Sequence, residues 1–225
     1  MHLGKLYRKM GQYDLAYTYL SKAQQEHLKI FGENNARTLW GDMALADLYI
    51  DLHKYNEAQK LIEKCLIYYK KTLLPTHPKI GKALGSLATT YSKLGDTQKA
   101  EPLFRQALEI LESHYGPNHI EATTVLRQYG DHLIKTNHLD KAHAYLTKAY
   151  TILSTHHHPD VCLTQASRAS LYAQQEKTGS ALTENKNKAA LALTEALHCA
   201  LKSFPEKSMH IQHIQKMIEQ NKNLQ

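Results

Sequence analysis

Small and apolar residues recur along the chain at a fixed step of 42 positions. Gly4, Tyr7, Gly11, Tyr13, Ala16, Leu20 and Ala23 are matched one step on by Ala46, Tyr49, His53, Tyr55, Ala58, Ile62 and Cys65. A second step reaches Ala88, Tyr91, Gly95, Thr97, Ala100, Phe104 and Ala107, and a third reaches Gly130, Leu133, Asn137, Leu139, Ala142, Leu146 and Ala149. Within each copy the spacings of three and four describe two short amphipathic helices with a turn between them. Ala16, Ala58, Ala100 and Ala142 let the second helix press close to the first, and Leu20, Ile62, Phe104 and Leu146 fill the space beside them. Gly11, Gly95 and Asn137 tolerate a left-handed turn at a helix end, with His53 the less favourable exception.

The pattern predicts helices over residues 2–10, 13–31, 36–52, 55–73, 78–94, 97–114, 120–136, 139–155, 160–175 and 180–203, and a last one over 207–222. Helix breakers crowd the loops between pairs: Gly32-Glu33-Asn34, Leu74-Pro75-Thr76-His77-Pro78, Gly116-Pro117-Asn118-His119 and His156-His157-His158-Pro159. His77 and His119 keep the 42-residue step, whereas His119 to His158 is 39, a shortening that Ala169, Tyr172 and Ala181 inherit. The expected architecture is an all-α, right-handed superhelical solenoid of antiparallel helix pairs, about 11 helices in all. One uninterrupted stack of about five repeats should occupy residues 1–203, with a capping helix in 204–225.

The ends of that array depart from the pattern. The chain starts inside the first helix of repeat one, leaving an N-terminal end without a polar cap. In repeat five, Arg168 takes a core position, and Asn185 and Lys188 stand where the aromatic and the alanine belong. Its second helix should instead bury a shifted stripe of Leu182, Ala189, Leu193, Leu197, Leu201 and Phe204. In the last helix Ile211, Ile214 and Ile218 share one side, with Gln212, Gln215, Gln220 and Lys222 elsewhere, as a cap requires.

Composition narrows the function. Of 225 residues, 42% are hydrophobic, 22% are charged, and only 10 are Gly and 6 Pro, which excludes a disordered or low-complexity chain. Mean hydropathy is −0.52 and the most apolar stretch, Ala189 to Leu201, is broken by Thr194, Glu195 and His198, so no membrane span or membrane partner is expected. No secretory signal is read at the N-terminus, and a cytoplasmic location is expected. The formal charge of +7 comes from 28 basic against 21 acidic residues. None of the Lys/Arg runs of about five to eight that mark nucleic-acid patches is present, so nucleic acid is not the expected partner.

Catalytic and metal chemistry find no constellation. Cys65, Cys162 and Cys199 are far apart, lack Cys-x-x-Cys spacing, and are expected to be reduced, mostly buried thiols. Cys65 holds the small core position of Ala23, Ala107 and Ala149. Of the 15 histidines, His77, His119 and His158 recur with the repeat as loop residues, and His210 with His213 is a lone pair. No metal site, cofactor or catalytic residue is expected, since zinc needs three or four placed ligands and no phosphate loop or paired carboxylates appear.

The repeats resemble tetratricopeptide repeats, in the longer form of about 42 residues found in kinesin light chains and their bacterial relatives. The stretch from Gly95-Asp96-Thr97 through Ala100-Glu101-Pro102-Leu103-Phe104 to Ala107-Leu108-Glu109-Ile110 carries the second-helix signature, followed by Tyr115-Gly116-Pro117-Asn118-His119. His77-Pro78, Leu84, Leu87-Ala88 and Tyr91 carry the first. The resemblance covers residues 1 to about 182 and implies a non-catalytic scaffold or adaptor that binds a peptide or helical segment along its concave face. The asparagine that kinesin light chains place before the Leu-Ala pair of each first helix is Ala44, Ser86, Gln128 and Ser167 here, so that mode of cargo binding does not carry over. The lysine–asparagine clamp of heat-shock adaptors finds no matching asparagine.

The exposed stripe of each first helix lies six and three positions before the small residue and one, four and five after it. Repeat two offers Trp40, Met43, Asp47, Ile50 and Asp51; repeat three offers Lys82, Gly85, Thr89, Ser92 and Lys93; repeat four offers Thr124, Arg127, Asp131, Ile134 and Lys135. Trp40, Met43, Asp47, Ile50, Lys93, Arg127, Asp131, Ile134 and Lys135 are the expected groove residues, apolar groups flanked by charge on an open surface. A packing role for Trp40 stays open, because Asp42 at a nominal core position could rotate the helix. Two other functions also remain: self-assembly through the exposed N-terminal repeat, giving a homo-oligomer, and a nucleic-acid-associated regulator.

Overall fold

The computed structural model describes residues 1–178 and 182–222. Among them are eleven α-helices and no strand: α1 (His2–Lys9), α2 (Tyr13–Phe31), α3 (Ala36–Asp51), α4 (Tyr55–Thr72), α5 (Pro78–Leu94), α6 (Thr97–Tyr115), α7 (Thr123–Lys135), α8 (Leu139–Thr155), α9 (Val161–Lys177), α10 (Leu182–Ser203) and α11 (Met209–Lys222). One 3-10 turn, Ile120–Ala122, precedes α7. The all-α class and the helix-pair solenoid architecture expected from the period are those observed. The chain forms two compact units, Met1–Gly116 and Pro117–Gln225, a division across which the sequence register continues without a gap.

In the first unit each helix packs on the next, and α3 also touches α5, so that first helices lie side by side. The core is the repeated set: Ala16, Leu20, Ala46, Ala58, Ile62, Ala88, Ala100 and Phe104 have no accessible surface. A methyl group at Gly4 would sit 2.7 Å from Leu20 Cγ, which is why nothing larger than glycine stands there. The turns close as their residue types require, with positive φ at Gly11, His53 and Gly95. In the second unit the same positions recur, with Ala142, Leu146 and Ala149 fully buried and Asn137 at φ 61°. There a methyl at Gly130 would lie 2.6 Å from Leu146 Cγ.

The loop histidines do structural work that their spacing alone does not reveal. Asn35 Oδ1 accepts a hydrogen bond from the Arg37 amide at 2.9 Å. One period later His77 Nδ1 accepts from the Lys79 amide at 3.1 Å, and two periods later His119 Nδ1 accepts from Glu121 at 3.2 Å. His158 Nδ1 accepts from Asp160 at 3.2 Å. His77 thus caps α5 and His119 the 3-10 turn before α7, each satisfying an amide that a helix start leaves unpaired, while His158 holds the amide of Asp160 just ahead of α9.

Two expectations for the last repeat need correction. Cys162 and Cys199 are joined as a disulfide between α9 and α10, Cα atoms 5.5 Å apart, rather than standing as reduced thiols. Thirty-seven residues separate them, and only the pairing of the two helices brings them together. Cys65 is the buried free thiol expected, donating to the Leu39 carbonyl at 3.4 Å. The α10 stripe runs through Ala189, Ala192, Leu193, Ala196, Ala200 and Phe204, while Leu201 is 53% exposed. Alanines at successive three- and four-residue steps let α10 approach α9 closely, which turns Leu201 to the outside. Ile211 and Ile214 of α11 are buried against Phe204 and Ala200, with Ile218 partly so. Arg168 is accommodated by Tyr150, whose ring centroid is 4.5 Å from the guanidinium, and by hydrogen bonds to Gln165 and Tyr172. Ala181, residues 223–225, and the side chains of Leu182 and Lys222 lie outside the described residues.

Two predictions follow from the packing and the caps. Gly130→Ala should destabilise the second unit by about 1–3 kcal/mol, the usual cost of overpacking, seen as a lower urea midpoint. Burial, with the charges of Lys79 and His114, holds the His77 pKa below its ordinary 6.5. A depressed folded-state value means that this stabilisation is complete above the unfolded value and is lost as the pH falls through the folded one. His77→Asn keeps an acceptor that does not titrate, so its melting temperature should decline less between about pH 7 and 5 than that of the wild type.

Candidate functional site

In the first unit, α1, α3 and α5 present the positions that the spacing assigns to the groove. Trp40 is half-buried on α3, and its ring is covered from α1: Lys5 Nζ lies 4.1 Å from the ring centroid, and the His2 ring stands 5.1 Å away at 58°. An ammonium over the face of an indole is held by the ring quadrupole. Burial is the main influence on Lys5, and with Arg8 and Lys82 nearby it outweighs the attraction of Asp47, so that its pKa falls to about 8.

One helical turn further along, a single cation serves two carboxylates. Arg8 Nη1 donates to Asp51 Oδ2 at 2.8 Å, and Nη2 stands 3.8 Å from Asp47 Oδ2. Asp47 Oδ1 also accepts from Ser86 Oγ of α5 at 2.9 Å. Three first helices are therefore linked by one polar chain, Arg8 to Asp47 and Asp51 to Ser86. Burial alone would lower the Arg8 pKa, but Asp51 and Asp47 more than reverse it, and the guanidinium stays charged.

The nominal core position Asp42 explains why α3 keeps its register. Asp42 is 1% exposed, yet Gln24 Nε2 donates to its Oδ1 at 2.9 Å and Lys64 Nζ lies 3.1 Å from its Oδ2. A buried carboxylate is tolerated when it is paired and hydrogen-bonded, so α3 need not turn to expose it. Trp40 accordingly has Lys5 and His2 packed against its ring and stays half-buried. Met43 is half-buried beside it.

Other expected groove residues are placed differently. Ile50 is buried, because α3 is flanked by α2, α4 and α5, which narrows the free stripe of an interior first helix. Of the α5 stripe, Gly85, Thr89 and Ser92 are buried, and Lys82 and Lys93 are exposed. In the second unit, Arg127 Nη1 lies 3.2 Å from Asp131 Oδ2 on the same face of α7, with side-chain exposures of 24% and 32%. Arg127 therefore does not project freely into solvent. Ile134 is half-buried and Lys135 exposed at the C-terminal end of α7.

Lys5, Arg8 and His2 were not among the expected groove residues. The spacing rule reaches two of them when it is extended to repeat one, since Lys5 and Arg8 stand one and four positions after Gly4. Among the described residues no group of three or more His, Cys, Asp or Glu is arranged to hold a metal ion. Among the described residues, too, no helix is long and apolar enough to cross a membrane.

The Lys5–Trp40 contact has its own reporter, since the chain contains one tryptophan. Trp40 emission should show a titration step near pH 8 as the ammonium above it loses its proton. Lys5→Met should remove the step while leaving the far-ultraviolet circular dichroism unchanged.

Comparison with known proteins agrees with this architecture. A family model described as tetratricopeptide repeat matches residues 37–113, and a second of the same description matches residues 1–25. The chain is 30% identical over 103 residues to protein-lysine N-methyltransferase SMYD4 of Gallus gallus, covering 46% of this chain and 14% of that protein. It is 32% identical over 73 residues to Protein KINESIN LIGHT CHAIN-RELATED 3 of Arabidopsis thaliana, 32% of this chain and 11% of that one. The chain thus spans only a small part of these curated relatives. Among solved structures, BtubC (BKLC) from P. vanneervenii superposes with a TM-score of 0.62 at 19% identity, over 91% of this chain and 80% of that one. A Rap protein complexed with competence and sporulation factor gives a TM-score of 0.60 at 14% identity, over 98% and 62% of the two chains. Repeat period, helix pairs and family matches agree that residues 1–25 and 37–113 carry tetratricopeptide repeats, and the chain has the fold of the solved repeat proteins it superposes on.

Proposed function

We propose that the chain is a non-catalytic protein-interaction scaffold that binds a peptide or helical segment along the first helices of its first unit. The observation that carries this reading is the face of the first helices around Trp40, where a partly accessible indole and Met43 lie with Lys5 and the Arg8–Asp47–Asp51 chain, and where α5 adds the exposed Lys82 and Lys93. Partly accessible aromatic side chains ringed by polar groups are the usual anchors of protein interfaces. Support also comes from the fold, since a Rap protein of the same architecture is known complexed with competence and sporulation factor. The corresponding surface of the second unit, Arg127, Asp131, Ile134 and Lys135, offers an i, i+4 ion pair and one half-buried apolar side chain.

A second reading, self-association through the N-terminal helix pair, has its own observation. Leu3 and Leu6 of α1 are 44% and 53% exposed, with Leu15 and Tyr19 of α2 also exposed. Apolar side chains gathered on one end of a helix array are candidates for burial against another surface.

Selection of binders from a random peptide library against the full chain separates the two. Selected peptides should change Trp40 emission on binding and should bind Lys93→Glu at least about tenfold more weakly, a loss of roughly 1.4 kcal/mol, with helicity unchanged. Binders that leave Trp40 emission unaltered would place the site elsewhere. Failure to select any binder, together with a sedimentation coefficient that rises with concentration and returns to the monomer value in Leu6→Glu, would favour self-association.

A further inference from the structure

The Cys162–Cys199 bridge is unevenly buried. Cys162 has no accessible surface and packs among Ala166, Ala196, Ala200 and Phe204, its Sγ 3.8 Å from Ser203 Oγ. Cys199 is only partly buried, and it lines two adjoining cavities of the second unit. The larger, about 550 Å³, is bordered by Tyr150, Ser154, His157, His158, Cys199 and Ser203, and its rim residues His157 and Ser203 are exposed. The smaller, about 170 Å³, is the only one of the two that reaches Cys162.

Cys199 borders the larger cavity, whereas Cys162 has no accessible surface and borders only the smaller one, so a thiol that fills the larger cavity meets Cys199 first. We propose that Cys199 is a thiol-exchange site, at which a low-molecular-weight thiol of tripeptide size enters the larger cavity and forms a mixed disulfide. The thiolate attacks Cys199 Sγ in line with the S–S bond, a new sulfur–sulfur bond forms to Cys199, and the bond to Cys162 breaks. Cys162 leaves as a thiolate and takes up the proton that the attacking thiol released, so one thiol and one disulfide yield one mixed disulfide and one thiol. A second thiol attacking the mixed disulfide completes the reduction, giving the oxidised small molecule and the free thiol of Cys199. The cavity volume falls within the roughly 300–1,000 Å³ typical of small-molecule sites. Hydroxyl and imidazole groups on its wall suit the amide and carboxylate groups of a short peptide thiol rather than a bare hydrocarbon thiol. The step acts on the contact between α9 and α10, so the linkage of the last helix pair is set by the surrounding thiol pool.

Cys65 is a built-in control. It is fully buried, and burial pushes its thiol up to about 12, where almost no thiolate exists to exchange. The test incubates the full native chain with reduced glutathione, quenches with acid, and reads intact mass and peptide maps. The expected product carries one glutathionyl group on Cys199 and none on Cys162 or Cys65. With oxidised glutathione, Cys162→Ser should still be modified at Cys199, whereas Cys199→Ser should remain unmodified. Attachment at Cys162 would overturn the proposal, as would three titratable thiols in the untreated native chain. It would equally fail if glutathione concentrations that reduce the bridge in urea produced no adduct in the native chain, or if only a thioredoxin-type protein dithiol opened it.

Discussion

Everything in this protein hangs on how closely two helices of a pair can approach. The contact is made by a small residue of the first helix against a large one of the second, and the 42-residue step repeats it at Gly4 and Leu20, Ala46 and Ile62, Ala88 and Phe104, and Gly130 and Leu146. Every one of these alanines and large residues is fully buried. At Gly4 and Gly130 the approach leaves no room even for a methyl group. With the pair locked in this way, the positions one and four beyond Gly4 and one and five beyond Ala46 stay outside the core. Those positions carry Lys5, Arg8 and Asp47, which is why the polar chain across α1, α3 and α5 has a regular origin in the repeat rather than an accidental one.

Where the repeat departs from its own rule, a second interaction makes up the difference. Asp42 at a core position would cost several kcal/mol if left alone, and it is answered from both neighbouring helices by Gln24 and Lys64. In the last pair the large residue of the pattern gives way to a run of alanines on α10, which bury less apolar surface per turn. The disulfide to α9 and the isoleucines of α11 compensate at that end. Histidine replaces the usual short polar cap at two loops, the Nδ1 of His77 and His119 standing in for the oxygen of Asn35.

Helices and turns were readable from the sequence because each is specified locally and then specified again by the next copy. Glycine or asparagine at a helix end, breakers in the loop, and apolar residues at three and four all point to the same boundary, and the predicted ranges differ from the observed ones by three residues or fewer. The groove was less readable because exposure depends on neighbours that spacing does not count. Ile50 obeys the same periodic rule as Asp51, yet α2, α4 and α5 close over it. The disulfide was invisible for a related reason: the partners are set by the register of α9 against α10, in the one repeat whose register is worn. Histidines could be placed in loops but not recognised as acceptors, since that depends on which ring nitrogen faces the helix start.

The electrostatics of the first unit limit what a partner can gain there. Arg8 is a half-buried cation already shared between Asp47 and Asp51, and Ser86 holds Asp47 from the other side. A ligand carboxylate that drew Arg8 away would leave two carboxylates one turn apart facing each other, a repulsion that offsets much of the new attraction. Affinity on this face has to come from elsewhere. Trp40 and Met43 supply apolar area that is incompletely covered, and Lys82 and Lys93 of α5 are exposed cations of the first unit. The polar chain then acts as a fixed frame that sets the spacing of the three first helices. On the proposed function, recognition would rest on the indole and on the exposed lysines of α5, which favours a segment that brings an apolar anchor with acidic residues flanking it.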